Sequence, residues 1–477
     1  MTLRGNKKGP NMDRNIGIRL AVWVLLSVMA ACGHADCGGR AARHWTAPTR
    51  IADWGPGYLN RLALVVDGKG RGTVVACGQP TGEGPNQELH AYQFGADATA
   101  AVRDTVLRSG PLEVDDLVLR VNDSGQGLVT WSEISGIPVL ASRLDGKTGT
   151  FGKVATLCCN VNRQEEDEEE RAFRPNQVVL PDGSALVIWE DDDKLVSMRS
   201  EGADGHWTKP KAFSDRHCGF MGCDEAPVLA VDRLGNVTLA WTGALLEADA
   251  EAKGVDIVAT RFDTKRGWTP GVRIVRRTRP QEEEEPMDLS RPRLLSLATG
   301  AHGEVLLTWS ERDVYAAYGS QMGGEWSKAR LVSEEGVAFI PKAAIDARGK
   351  AVVVWGDVGG GKLRAAFARN PGDEWSKTKV IESDESSEAI VPGLAGMANG
   401  DVLLAWQHSG KAWLTTYAAP MPAGTTVPLG STPEAKSNHP LIATNEAGDV
   451  VVVWEEMRGD RRELWMSRTV QSGQGEK

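Results

Sequence analysis

The stretch Pro341-Lys342-Ala343-Ala344-Ile345-Asp346-Ala347-Arg348-Gly349-Lys350-Ala351-Val352-Val353-Val354-Trp355 decides the fold. It reads as a strand opened by Pro, a turn with Asp three residues before Gly, and a second strand running into Trp. Asp favours turns, and Gly tolerates positive φ. The run 351–354 is apolar on both faces without alternation, so it requires a strand covered on both sides. The same six-residue step from Gly to Trp occurs at Gly125/Trp131, Gly183/Trp189, Gly235/Trp241, Gly303/Trp309, Gly400/Trp406 and Gly448/Trp454. An eighth copy at Gly70 has Ala76 in the Trp place. The opening Pro recurs at Pro175, Pro227, Pro392 and Pro440, and the turn residue at Asp232 and Asn445. A period near 50 residues marks a repeat architecture, which overrides the usual division of 477 residues into several domains.

Each copy continues with a mixed third strand, such as Ile257-Val258-Ala259-Thr260-Arg261-Phe262. A fourth strand then opens on a second Trp: Trp207, Trp268, Trp326 or Trp375. No segment beyond residue 40 sustains a helical period. Four antiparallel strands per unit, the second doubly covered, describe a β-propeller blade. The expectation is therefore an all-β chain forming a single propeller of about eight four-stranded blades, with seven as the alternative. The last copy, 439–470, holds only three strands. The N-terminal Arg43-His44-Trp45-Thr46-Ala47-Pro48 matches the fourth-strand segment His206-Trp207-Thr208-Lys209-Pro210. The N-terminal strand should thus complete the last blade and close the ring, removing exposed edges. Twelve of the 16 Trp occupy the two repeat positions, which assigns them to the space between blades rather than to ligand stacking. Trp54, Trp413 and Trp465 are off register and are the candidates for an exposed role.

Residues 1–31 read as a signal peptide: Lys7, Lys8, Arg14 and Arg19 precede an apolar stretch of twelve residues from Leu20 to Ala31, too short to span a bilayer. Val28-Met29-Ala30-Ala31-Cys32 resembles the lipobox of bacterial lipoproteins. That resemblance implies lipid attachment at Cys32, a linker over 32–41 before the propeller at 42–470, and a tail over 471–477. With Gly33 following, it also implies an outer-membrane address in the cell envelope and a membrane partner through the lipid. Loss of 1–31 removes five basic residues and one acid, taking the net charge from −10 to −14. So acidic a body repels phosphate backbones, which argues against nucleic acid as a partner.

Strand order places the turns between second and third strands on the same side as the blade-to-blade connections, here the upper face. The long insertions 158–173, 214–225, 242–255 and 277–290 fall there, and variable loops on a rigid scaffold are where function concentrates. Two residues past the repeat Trp stand Glu133, Asp191, Glu311, Asp357 and Glu456, with His408 in the seventh blade. They are the candidate binding residues, in a partial ring around the axis. The acidic runs 165–170 and 282–285 and Asp191-Asp192-Asp193 lie on the same side. A carboxylate just after a strand can equally well satisfy turn amides. Cys77, Cys158, Cys159, Cys218 and Cys223 also map to the upper side and are disulfide candidates in an oxidising compartment. Their spacings, with His217, match no zinc signature, so no metal site is assigned.

The order of Pro, Asp-x-x-Gly turn, apolar run and closing Trp strand resembles the sialidase-like (BNR-like) β-propeller repeats of bacterial surface proteins over residues 42–470. In the family's Asp boxes Gly and Trp stand three apart, whereas here they stand six apart. For a sialidase activity the resemblance implies Arg174 and Arg291 as carboxylate holders, with Tyr315, Tyr318, Glu311 and Asp357 for the remaining roles. The leading expectation is a surface-anchored, non-catalytic binding or scaffold module with an acidic face for a cationic protein or a polysaccharide. The alternatives are a sialidase-like glycoside hydrolase and a Ca²⁺-dependent binding module, since clustered carboxylates suit that hard ion.

Overall fold

The computed structural model describes residues 43–471 apart from 81–85, 98–101, 112–113, 134–137, 159–174, 192–193, 203–204, 216–225, 244–253, 279–292, 321–324, 334–337, 347, 358–361, 384–392, 397–400 and 418–423. The described residues form eight antiparallel sheets and no helix. The protein is an eight-bladed β-propeller.

Blade 1 comprises Tyr58–Val66, Gly72–Gln79, Gln87–Phe94 and Arg103–Gly110, in that spatial order. The doubly covered second strands of blades 2 to 7 are Gly127–Glu133, Ala185–Asp191, Val237–Gly243, Glu304–Ser310, Ala351–Asp357 and Val402–His408. Blade 8 runs Lys436–Thr444, Val450–Arg458 and Arg461–Gln471, and the N-terminus then completes it. Arg43–Trp45 pairs with Gln471 back to Thr469, and Thr49–Gly55 pairs along the same strand from Met466 to Arg462. The ring closes as the sequence predicts. The break between the two N-terminal pieces contains Pro48; Pro210 and Pro270 stand in the matching breaks of blades 3 and 4. Pro lacks an N–H and so interrupts an edge strand, which bends the outer margin of the blade.

The turn between first and second strands is built by its own side chain. Asp346 Oδ1 accepts from the N–H groups of Arg348 and Lys350 at 2.8 and 2.9 Å, and Asp232 Oδ1 does the same for Leu234 and Asn236. The Gly that follows has φ near +80° in every described copy (Gly349 +80°), a region that Cβ sterics deny to most other residues.

Eight hydrophobic clusters fill the eight blade interfaces. Each repeat Trp packs against the preceding blade: Trp189 with Leu128 and Ala141, and Trp355 with Leu306 and Ala316. All seven repeat Trp are at most 3% exposed. At the 8/1 interface, where Ala76 replaces Trp, the missing indole comes from Trp54 of the closing strand, buried in the same cluster as Ala76. Trp54 is therefore core, contrary to the exposed role expected for it. Trp413 stacks on Trp406 at 5.9 Å between centroids, and Arg458 covers the ring of Trp465. Both stand cross-strand from a repeat Trp and pack at a blade interface, so each belongs in part to the core rather than having a free exposed role.

Candidate functional site: the upper end of the closing blade

The expected carboxylate positions lie at the upper ends of the second strands, and each described member is engaged. Trp309 Nε1–H donates to Glu311 at 3.0 Å, and Trp454 Nε1–H donates to Glu456 at 2.9 Å. Arg364 Nε–H lies 2.8 and 2.9 Å from the two oxygens of Asp357. Glu133 pairs with Arg108 at 3.0 Å. Asp191 also has a partner. His408 Nε2 lies 2.9 Å from the Ser409 hydroxyl and tilts against Trp406. The spacing of two explains the indole contacts, since residues two apart in a strand share a face.

Cys77 is a free, buried thiol, which removes it from the disulfide candidates. It sits inside blade 1 against Gln87, and burial pushes its pKa up to about 12, so the nucleophilic thiolate is suppressed. Cys158 is disulfide-bonded. Its partner, like Cys159, Cys218, Cys223 and His217, lies outside the described residues, as do Cys32, Arg174, Arg291 and the acidic runs 165–170 and 282–285. Of the residues nominated for a sialidase, Tyr315 stacks on Trp309, while Tyr318 lies buried at the lower half of its strand against Trp375. Burial pushes the Tyr318 phenol well above its usual range. The two tyrosines therefore do not converge.

Among the described residues the richest polar cluster is on blade 8, in the hairpin Trp454-Glu455-Glu456-Met457-Arg458-Gly459-Asp460-Arg461-Arg462-Glu463-Leu464-Trp465. Its register sets Trp454 opposite Trp465 and Glu456 opposite Glu463. Trp465 Nε1–H donates to Glu463 at 3.0 Å, mirroring the contact of Trp454 with Glu456. Arg458 Nε lies 3.6 Å from Glu456 and 3.2 Å from Glu463, and its guanidinium covers the Trp465 ring. Like charges placed opposite one another destabilise a sheet, and the guanidinium between them offsets this. The Ser431 hydroxyl and N–H complete the coordination of Glu456.

On the outer side Arg50 pairs with Glu463 at 2.8 Å, and Arg461 with Asp53 at 2.7 Å. The hydrogen bond from Arg461, first, and that from the Gly55 N–H hold the Asp53 carboxyl below its usual range. On the inner side Glu455 is buried between Arg462 and His439, 2.8 Å from His439 Nδ1. His439 has φ +49° and precedes Pro440. It sits at a bulge between Asn438 and Leu441. Ile340, before Pro341, repeats the conformation at φ +48°, also at a bulge. A residue before Pro prefers extended backbone, so these are strained positions of the kind that bulges use to re-aim a side chain. The sequence carried one signal for them, the Pro eight residues before the repeat Gly. Glu455, Glu463 and Arg458 were missed because no spacing in the repeat marks them, and Pro440 marked the opening of a strand rather than the His439 before it.

Neither a protein-family model nor a curated protein matches the chain. Among solved structures it is similar to one described as the Dos1 propeller, at 7% identity and TM-score 0.53, over 88% of this chain and 95% of that one. It is also similar to a polysaccharide lyase, an ulvan lyase (11% identity, TM-score 0.48, 74% of this chain and 93% of that one). A third is the NanB sialidase of Streptococcus pneumoniae (8% identity, TM-score 0.38, 90% and 93%). The likeness to the Dos1 propeller supports the β-propeller fold, and at 7% identity it says nothing of activity.

Proposed function

We propose that the protein is a propeller binding module for an acidic polysaccharide, engaged at the upper end of blade 8. One observation carries this reading. Arg50, Arg458 and Arg461 keep about half of their side-chain surface exposed (51, 47 and 52%), while Glu463, which pairs with Arg50 and Arg458, and Glu456, which pairs with Arg458, are buried beneath, and the half-buried Asp53 holds Arg461. A guanidinium fork held from below presents its remaining donors outward, a geometry that matches carboxylate and sulfate groups. Side chains already ordered by ion pairs lose little entropy on binding. Charge density points to the same place: of the second-to-third-strand hairpins whose turns are described in full, those of blades 5, 7 and 8, the last holds the most ion pairs.

Calorimetry with polygalacturonate, and with neutral dextran as control, tests this. Wild type should bind the acidic polymer, with affinity falling as salt rises, and Arg458→Ala should bind at least tenfold more weakly. Binding of dextran with equal affinity, or an unaffected Arg458→Ala, would refute the proposal. A catalytic role is the second reading, favoured by the contact of buried Glu455 with His439. It predicts release of new chain ends from the bound polymer, lost in His439→Ala.

A further inference from the structure

One position of the repeat faces the lower half of each blade interface: the third-strand residue opposite the third residue after the repeat Gly. Around the ring it is Gln93, Arg143, Arg199, Arg261, Tyr318, Phe367, Thr416 and Arg468. Four blades place Arg there. Arg143 reaches the Gly183 carbonyl of blade 3, and Arg468 reaches the Gly70 carbonyl of blade 1, in each case the repeat Gly of the next blade. The guanidinium thus plugs the interface and satisfies a turn carbonyl.

Blade 1 carries the shorter Gln93 instead. At the 1/2 interface a cleft of about 220 Å³ opens on the lower face, bounded by Gln93, Phe94, Arg71, Arg103, Asp67 and Asp145. The Gln93 amide oxygen is buried there without a partner among the described residues. An unpaired buried acceptor is costly, and a ligand hydroxyl would relieve it. Arg71 is held by Asp67 at 2.6 Å and by the Gly146 carbonyl at 2.7 Å. Arg103 Nη1–H donates to the carbonyls of Thr148 and Gly149 at 3.3 and 3.0 Å.

We infer that this cleft is a binding site for one uncharged, polyhydroxylated ring, such as a hexose. Two guanidiniums and two carboxylates line it, so it carries no net charge. It is smaller than the roughly 300–1,000 Å³ of drug-sized sites, which suits a single ring. Fixed donors and acceptors around one aromatic edge, Phe94, fit a ligand with hydroxyls on all sides. The site lies on the face opposite the blade 8 hairpin and does not depend on the function proposed there.

Saturation-transfer NMR and calorimetry with glucose, galactose, mannose, fucose and methylguanidinium provide the test. Wild type should bind at least one hexose, and Arg458→Ala should bind it equally well. Gln93→Arg, which installs the plug that Arg143 and Arg468 form in blades 2 and 8, should weaken hexose binding at least tenfold and leave the thermal midpoint unchanged or higher. Should Gln93→Arg unfold early, Arg103→Ala supplies the same readout, a loss of at least tenfold. Failure of wild type to bind any hexose, undiminished binding by the soluble variants, or displacement of hexose by methylguanidinium would each overturn the inference.

Discussion

At the scale of single residues, the repeat Trp does structural work and nothing else visible. Burying about 200 Å² of indole at about 25 cal/mol/Å² is worth ~5 kcal/mol before entropy is charged. Trp355 sits between Leu306 of blade 5 and its own sheet, fully buried. Trp355→Ala should therefore lower stability by roughly 3–5 kcal/mol through the cavity left behind, as read by denaturant unfolding. A loss below ~1 kcal/mol would mean that the interface collapses around the gap. The recurring carboxylates carry a related lesson. Sequence spacing placed them at one level of the ring, and the structure shows indole and guanidinium donors holding Glu133, Glu311, Asp357 and Glu456.

At the scale of the element, the turn between first and second strands is the smallest unit that the sequence specifies completely. Asp346 is 2% exposed and accepts two turn N–H groups, while its second oxygen is buried without a partner among the described residues. Asn445 fills the same place in blade 8, accepting from Asp449 N–H and donating to the Asp67 carbonyl of blade 1. Asp346→Ala should cost about 1–3 kcal/mol, because two amides lose their acceptor. Asp346→Asn should stay within about 0.5 kcal/mol of wild type, since the acceptor survives. Thermal unfolding of the pair checks this, and equal losses in both variants would show that charge rather than the acceptor matters.

At the scale of the whole molecule, the ring is closed by strands from opposite ends of the chain, and its joint is electrostatic as well as apolar. Asp53–Arg461 and Arg50–Glu463 pin the N-terminal strand to blade 8, while Trp54 fills the interface with blade 1. The folded Asp53 carboxyl is depressed below its ordinary value of 3.8. Its contribution is therefore complete above that value and is lost as pH falls through the lower, folded value. Trp54 protection should persist at pH 5 and weaken only below pH ~4, and Asp53→Asn should remove this step. Hydrogen exchange of residues 49–55 against pH is the measurement. An unchanged acid profile in Asp53→Asn would assign the step to other carboxylates.

The architecture was legible because it rests on local chemistry repeated many times. Gly349 needs positive φ, Asp346 caps its turn, and 351–354 must be covered on both sides; seven copies turn each weak preference into a strong one. Even ring closure could be read, since the segment at 43–48 carries the fourth-strand pattern that the last copy lacks. What tertiary structure alone decided is everything that depends on which blade meets which. Trp54 substitutes for an indole absent 22 residues later because closure brings blade 8 against blade 1. Glu456 and Glu463 face each other through hairpin register, and Glu455 finds His439 across a bulge. Gln93 leaves a cleft because it is shorter than the Arg143 and Arg468 that fill the equivalent place in blades 2 and 8. Partners that meet only through blade contact, hairpin register or a bulge leave no periodic trace in one chain, and so the fold was readable where the site was not.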